Sequence, residues 1–290
     1  MAKSLPAPRI GAHVPVAGGV AAGLRYAAGI GAEAIQVFVS NPRSWALPAG
    51  GAAPDRQADA VRDLLAGAAR PVFVHTPYLI NVGSADPGIR ERSVASMLYS
   101  LRRGGAIGAR GVVVHTGSAA GGDRDKSLRY ARDCLLAALD SIPDDGPDLL
   151  LEPMAGQGQM LCVTVADLGP YLEMLEWHPR AGVCLDTCHA FSAGHDLAAP
   201  GGADATLDEL AAVLGGSGRL RLVHANDSKD RCGSHRDRHE NIGAGQIGTQ
   251  AFRALLRHPA AAGAAFVVET PGPRAAHATD IATLKDLRAR

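Results

Sequence analysis

Aromatic residues are scarce in this 290-residue chain, with five Tyr, five Phe and two Trp making 4% of the total. The core must therefore come from Val, Leu, Ile and Ala. Charge of one sign is also missing, since 29 basic residues face 29 acidic ones. Taken alone, that balance argues against a polyanion partner, because nucleic-acid binders normally carry a basic excess. No apolar run approaches the roughly 20 residues that span a bilayer. The start, MAKSLPAPRIGAHV, has a lysine but no apolar signal-peptide core. A cytoplasmic protein without membrane contact is the expectation. Cysteines are few and odd in number: Cys134, Cys162, Cys184, Cys188 and Cys232. Only Cys184 and Cys188 are close, and C-x-x-x-C without a second pair is not a zinc-ribbon spacing. Reduced, mostly buried thiols are expected.

What remains is a globular composition, 47% apolar and 20% charged. Its length suits one domain, read as 1–290, with no linker or low-complexity tract. Gly/Ala/Pro clusters at 46–54 and 198–204 read as loops. Eight apolar runs recur, at 8–14, 34–40, 71–77, 111–117, 148–154, 181–187, 220–226 and 265–271. They are continuous in Val, Ile and Leu rather than alternating, as in parallel strands buried on both faces. Amphipathic stretches separate them. Val94, Met97, Leu98 and Leu101 follow helical spacing within 89–104, as do Leu168, Leu172 and Leu175. Eight strand–helix repeats over about 250 residues predict a (β/α)8 TIM barrel. An open doubly wound sheet is the alternative, but it usually has fewer repeats and a phosphate loop after its first strand. The one G-x-G-x-x-G, at 243–248, follows a charged loop and not a strand, so its glycines read as loop glycines.

The strand ends carry the chemistry. Strands three to eight end in His75, His115, Glu152, Asp186, His224 and Glu269. In a (β/α)8 barrel that end is the C-terminal mouth, where active sites are built. His189 follows Asp186 by three residues, and Asp237 and His239 lie on the loop after strand seven. A single His or Glu at a strand end is usually a hydrogen-bonded loop anchor; six in a row are not. Four clustered carboxylates should repel and resist ionising, a conflict that bound cations remove. Nine candidate ligands, five of them His, are too many for one tetrahedral site and suit two or three metals sharing a carboxylate. Nitrogen-rich, thiolate-free ligands favour zinc, with manganese or iron(II) as competitors. Three such ions would leave the mouth about one unit positive after the carboxylates and a bridging hydroxide are counted. A chain of zero net charge could then still bind a phosphodiester. Lys229, Arg231, Arg236 and Arg238 add basic residues beside the same loop, unless they form only a solvated face.

The motifs FVHTPYLIN, LEPMAGQG, GVCLDTCHAFSAGHD, HANDSKD, GSHRDRHENIG and VVETP resemble those of endonuclease IV, the zinc-dependent apurinic/apyrimidinic endonucleases of base-excision repair. The likeness runs from GAHVPVAGG at 11–19 to VVETP at 267–271. It implies a (β/α)8 barrel with three zinc ions. His75, His115 and Glu152 would hold one, with Glu152 bridging to a second completed by Asp186, His224 and Glu269. His189, Asp237 and His239 would hold the third. His13, also at a strand end, is not a ligand by this likeness. The resemblance implies hydrolysis of the phosphodiester 5′ to abasic sites in duplex DNA by a hydroxide between the first two zincs, with Glu152 and Glu269 orienting it. The products would be a 3′-hydroxyl and a 5′-deoxyribose phosphate, and 3′-blocking groups would also be removed. Arg43, Tyr78 and Leu79, on the loops NPRSW (41–45) and PYLIN (77–81), would wedge into the base stack, in a protein acting as a monomer. Two departures touch substrate contacts rather than ligands: Pro153 after the bridging glutamate, and His195 where an aromatic is usual nearby. The rivals are a metal-dependent sugar isomerase or epimerase on the same barrel, and a non-catalytic zinc DNA-binding protein. The first typically holds one or two metals among carboxylates; the second usually needs thiolates.

Overall fold

The computed structural model describes residues 7–48 and 70–289. Eight parallel strands close into a barrel: β1 Arg9–His13, β2 Ala34–Phe38, β3 Val72–His75, β4 Gly111–His115, β5 Asp148–Glu152, β6 Ala181–Asp186, β7 Leu220–His224 and β10 Ala265–Val268. A two-stranded ribbon, β8 Asp227–Ser228 with β9 His239–Glu240, lies between the seventh and eighth barrel strands in sequence. Each of the eight apolar runs contains one barrel strand. The helices are α1 Val20–Gly29, α2 Pro87–Ala106, α3 Arg124–Leu139, α4 Leu168–Met174, α5 Thr187–Ala193, α6 Gly202–Val213, α7 Thr249–Arg257 and α8 Arg274–Ala289. The connection after β2 falls largely outside the described residues, as do positions 49–54 of the first loop cluster. Among the described residues, no helix is long and apolar enough to cross a membrane.

The sequence dictates this layering. A layer of side chains from successive strands fills the interior: Ala34, Phe73, Val113, Leu150, Cys184, Leu222 and Val267. Ile35, Val72, Val74, Val112, Leu149 and Leu151 pack outward against the helices. With both faces of every strand buried, no strand needs polar alternation. In α2, Met97 and Leu101 are buried and Asp86 caps the first turn, accepting from Gly88 N at 2.7 Å. The second loop cluster is shorter than its composition suggests. It ends at Gly201, and α6 starts at Gly202, where a Cβ would lie 1.9 Å from the Asp196 carbonyl oxygen. Only glycine fits there, so a residue read as loop opens a helix.

Strand register sets the mouth. His115 pairs with Glu152 across β4 and β5, and Asp186 pairs with His224 across β6 and β7. A register shift between Val183 and Cys184 in β6 lies just below that second pair.

Candidate metal centre

All nine sequence-selected residues converge on the mouth. Glu152 is 1% exposed, and its carboxylate stands at the centre. Its Oε2 lies 3.2 Å from His75 Nε2 and 3.4 Å from His115 Nε2. Oε1 lies 2.8 Å from His224 Nδ1 and 3.6 Å from His189 Nδ1. His224 Nδ1 is also 3.3 Å from Glu269 Oε2 and 3.9 Å from Asp186 Oδ2. Asp237 reaches His189 Nε2 at 3.2 Å and His239 Nε2 at 3.1 Å, and His239 Nε2 is 3.5 Å from Asp186. The cavity above them measures about 580 Å³.

The backbone fixes how the imidazoles face. His75 donates its Nδ1–H to Thr76 O at 2.7 Å, and His189 donates to Pro153 O at 3.0 Å. His239 Nδ1 meets Glu269 O at 3.2 Å. In all three rings this turns Nε2 into the cavity, where His75 Nε2 meets Glu152 Oε2 at 3.2 Å, and anchoring the far ring nitrogen is how protein scaffolds present metal-binding histidines. Pro153 retains its carbonyl, so this departure leaves the orientation of His189 intact. His189 Nε2 and His239 Nε2 are buried with no hydrogen-bond partner. They sit within 3.2 Å of Asp237 oxygens without hydrogen-bonding geometry. Lone pairs of nitrogen and oxygen that converge on a shared point, instead of on each other, suit a cation at that point. His75, His115 and Glu152 form one group whose ligand atoms all lie within 4.8 Å of one another, and His189, Asp237 and His239 form another. The donor set fits zinc.

Protons can occupy these groups when no metal does. Burial opposes charge on His224, yet Cys184, Glu269 and Glu152 raise its pKa well above the ordinary imidazole value. Burial likewise opposes charge on His189, but Asp186, Asp237 and Glu152 push it well up. His239 is lifted to about 9 by Asp186, Asp237 and Glu269 against its own burial. The carboxylates answer in the opposite sense. Burial alone would raise Glu152, but His224, His115 and His75 hold it well below the usual range, and histidines do the same for Asp237 and Glu269. For these three acids the expectation that they would resist ionising is thereby corrected. Each faces imidazoles rather than another acid, so the cluster stays ionic and a metal displaces protons on binding.

A model of the xylose isomerase-like TIM barrel family matches residues 24–287. A protein of Streptomyces coelicolor named "Probable endonuclease 4" is 57% identical over 98% of this chain and 97% of its own length. A namesake from Streptomyces avermitilis is 55% identical over 96% of this chain and 90% of its own. The crystal structure of endonuclease IV from Thermus thermophilus superposes with a TM-score of 0.83 at 31% identity, covering 97% of this chain and 98% of that one. The chain belongs to the endonuclease IV family. A D-tagatose 3-epimerase-like protein matches with a TM-score of 0.73 at 18% identity, over 96% of each chain, which shows the shared barrel alone.

The other residues picked out by likeness to endonuclease IV lie around the rim. Tyr78 is 53% exposed and Leu79 37%, an unusual display of large apolar surface beside a polar cavity. Tyr78 N donates to Pro42 O at 3.1 Å, joining the loop of Arg43 to that of Tyr78. Asn81 Oδ1 accepts from Ser118 N at 2.9 Å and anchors the second loop to the turn after β4. Arg43 is exposed on the first. His195 stands apart from the cavity and accepts from Val165 N at 3.1 Å, a structural clasp. The basic quartet is less free than its sequence suggests, because Arg238 pairs with Asp230 through two nitrogens and Arg236 approaches the same carboxylate. Lys229 lines the cavity. The G-x-G-x-x-G loop wraps a carboxylate, not a phosphate: Gly243, Ile247 and Gly248 amides donate to buried Asp227.

Three residues that hold the centre were not singled out by sequence. Gln36, fully buried in β2, accepts from His224 Nε2 at 2.9 Å and donates to Glu269 Oε1 at 2.6 Å. Asn226 donates to Asp186 Oδ2 at 2.7 Å and accepts from Glu269 N at 2.7 Å. Asp280 on α8 accepts from Thr270 Oγ1, Asn241 Nδ2 and Ile242 N, one residue beyond Glu269 and two and three beyond His239. The available signal was a lone polar residue within an apolar run, as in AIQVF for Gln36. His13, set aside by likeness, meets Glu269 Oε1 at 3.0 Å.

Proposed function

We propose that the chain is a zinc-dependent endonuclease of DNA repair, hydrolysing the phosphodiester 5′ to abasic sites in duplex DNA. The products would be a 3′-hydroxyl and a 5′-deoxyribose phosphate, and the same site would clear blocked 3′ ends. The convergence of nine ligand-type side chains on one mouth, with ring nitrogens held open towards it, is the observation that carries this reading. His75, His115 and Glu152 would hold one ion, with Glu152 shared. Asp186, His224 and Glu269 would complete the second, and His189, Asp237 and His239 would hold the third. Bound there, zinc supplies charge that activates water and offsets the negative phosphate. Gln36 keeps Glu269 and His224 in place. The buried walls exclude bulk water, which strengthens every charge inside.

On the substrate side, Tyr78 and Leu79 would fill the gap left when the abasic nucleotide leaves the stack, with Arg43 beside them. Apolar wedges of this kind offset an unstacking cost of a few kcal/mol. Tyr78→Ala combined with Leu79→Ala is therefore expected to depress cleavage of an abasic duplex severely. Removal of a 3′-phosphate from a frayed end, which needs less distortion, should fall less. Side-by-side rates on the two substrates test this; equal losses would mean that these residues support the metal centre and do not open the duplex.

A further inference from the structure

The opposite end of the barrel has a charge pattern of its own. Arg9 opens β1, Arg110 immediately precedes β4, Arg180 immediately precedes β6, and Arg221 is the second residue of β7. The four arginines line a cavity of about 610 Å³ beneath the barrel, floored by Phe73 and Ala265. Their backbones are locked into the sheet: the Arg110 carbonyl accepts from Asp148 N at 3.1 Å, and that of Arg180 from Leu149 N at 2.9 Å. Among the described residues, Asp148 is the one carboxylate engaged with them. Its Oδ1 lies 3.5 Å from Arg180 Nη1 and its Oδ2 accepts from Arg221 Nε at 3.2 Å, while Arg180 Nη2 donates to the Gly146 carbonyl. Asp145 stands exposed on the cavity wall. Among the described residues, the side chains of Arg9 and Arg110 have no hydrogen-bonding or ionic partner, and Arg180 Nε is buried without one.

Arg9, Arg110 and Arg221 are exposed and Arg180 is half-buried, and four guanidinium groups around one cavity repel one another with a single carboxylate paired among them. Their fork-like donors match phosphate oxygens, and the strand starts fix the backbone positions from which they reach. We propose that this cavity is a second binding site, for a small dianion bearing one phosphate group, held mainly by Arg9 and Arg110 and flanked by Arg180 and Arg221. The site lies at the end of the strands away from the mouth and is independent of the metal centre.

The test uses the metal-loaded full chain with inorganic phosphate as the probe. Phosphate also meets positive charge at the mouth, so the readout must be local: protection of individual arginines from phenylglyoxal, followed peptide by peptide by mass spectrometry. Phosphate is expected to shield Arg9 and Arg110 while leaving exposed Arg129 on α3 reactive. The double variant Arg9→Ala/Arg110→Ala should need at least about 10-fold more phosphate to shield Arg180 and Arg221 from phenylglyoxal, the scale of lost charge-assisted contacts. Its DNA cleavage should stay unchanged. A nucleoside 5′-monophosphate that protects at lower concentration than phosphate would identify a phosphomonoester as the ligand; equal potency would identify orthophosphate. Equal reactivity of Arg9 and Arg110 with and without phosphate, or shielding of Arg180 and Arg221 in the double variant at the parent's phosphate concentration, would overturn the proposal. If the double variant does not fold, the protection pattern of the unaltered protein decides alone.

Discussion

Glu269 is held on three sides, lying 3.0 Å from His13, 2.6 Å from Gln36 and 3.3 Å from His224. Glu269→Gln preserves the shape and the hydrogen bond from Gln36 but removes one negative charge. Cleavage is expected to drop at least about 10²-fold, the scale of lost electrostatic assistance, while abasic DNA still binds. Single-turnover rates beside a gel-shift titration check it; a variant that cleaves normally would show that Glu269 is no ligand. At this scale the sequence was legible wherever a titratable residue ended an apolar run, because strand ends in a barrel must meet. Gln36 and Asn226 escaped because their importance lies in what they orient. A polar side chain inside a strand discloses its partners only when the barrel closes.

Elements explain how loops far apart in sequence keep a common geometry. Helix α8 carries none of the nine residues, yet Asp280 ties the turn after β10 to the segment after β9 through three hydrogen bonds. His277 on the same helix, 2.8 Å from Tyr26 Oη, reinforces it by donating to Thr270 O at 2.9 Å. Asp280→Ala leaves one buried hydroxyl and two N–H groups without their acceptor. A loss of at least about 2 kcal/mol in stability is expected, since each unmet buried group costs about 1–3 kcal/mol. Because the tether lies beside His239, zinc should also leave the protein faster in a chelator competition. A melting temperature and metal-release rate like those of the parent would contradict this. The repeat count and the positions of all eight strands were readable from eight recurring, mostly apolar runs. The start of α6 at Gly202 was not, because the approach of the Asp196 carbonyl is a tertiary fact.

Across the whole molecule, the last helix is clasped to the first strands at the bottom of the barrel. Arg288 of α8 donates to Glu33 through two nitrogens, at 2.6 and 3.1 Å, and to Pro8 O at 2.7 Å. Glu33 also accepts from Ile10 N at 3.1 Å. Burial would raise the Glu33 pKa, but Arg288, the Ile10 amide and Lys285 bring it down to about 2. A lowered carboxylate pKa stabilises the fold above the unfolded value near 4.5 and loses that contribution as pH falls through about 2. The group is partly exposed, so solvent screening reduces the contribution to about 1 kcal/mol. Glu33→Gln should therefore melt below the parent at neutral pH, with the gap closing between about pH 4.5 and pH 2; a constant gap would show that the pair's charge is immaterial.

The central claim is a mouth that binds several zinc ions through protein side chains. Element-resolved anomalous scattering from crystals of the purified protein, with a matched assay lacking added magnesium, measures it most directly. The account predicts three zinc peaks, one within each of the groups His75–His115–Glu152, Asp186–His224–Glu269 and His189–Asp237–His239, and cleavage that survives brief EDTA. A single peak, or activity that depends wholly on added Mg²⁺, would contradict it.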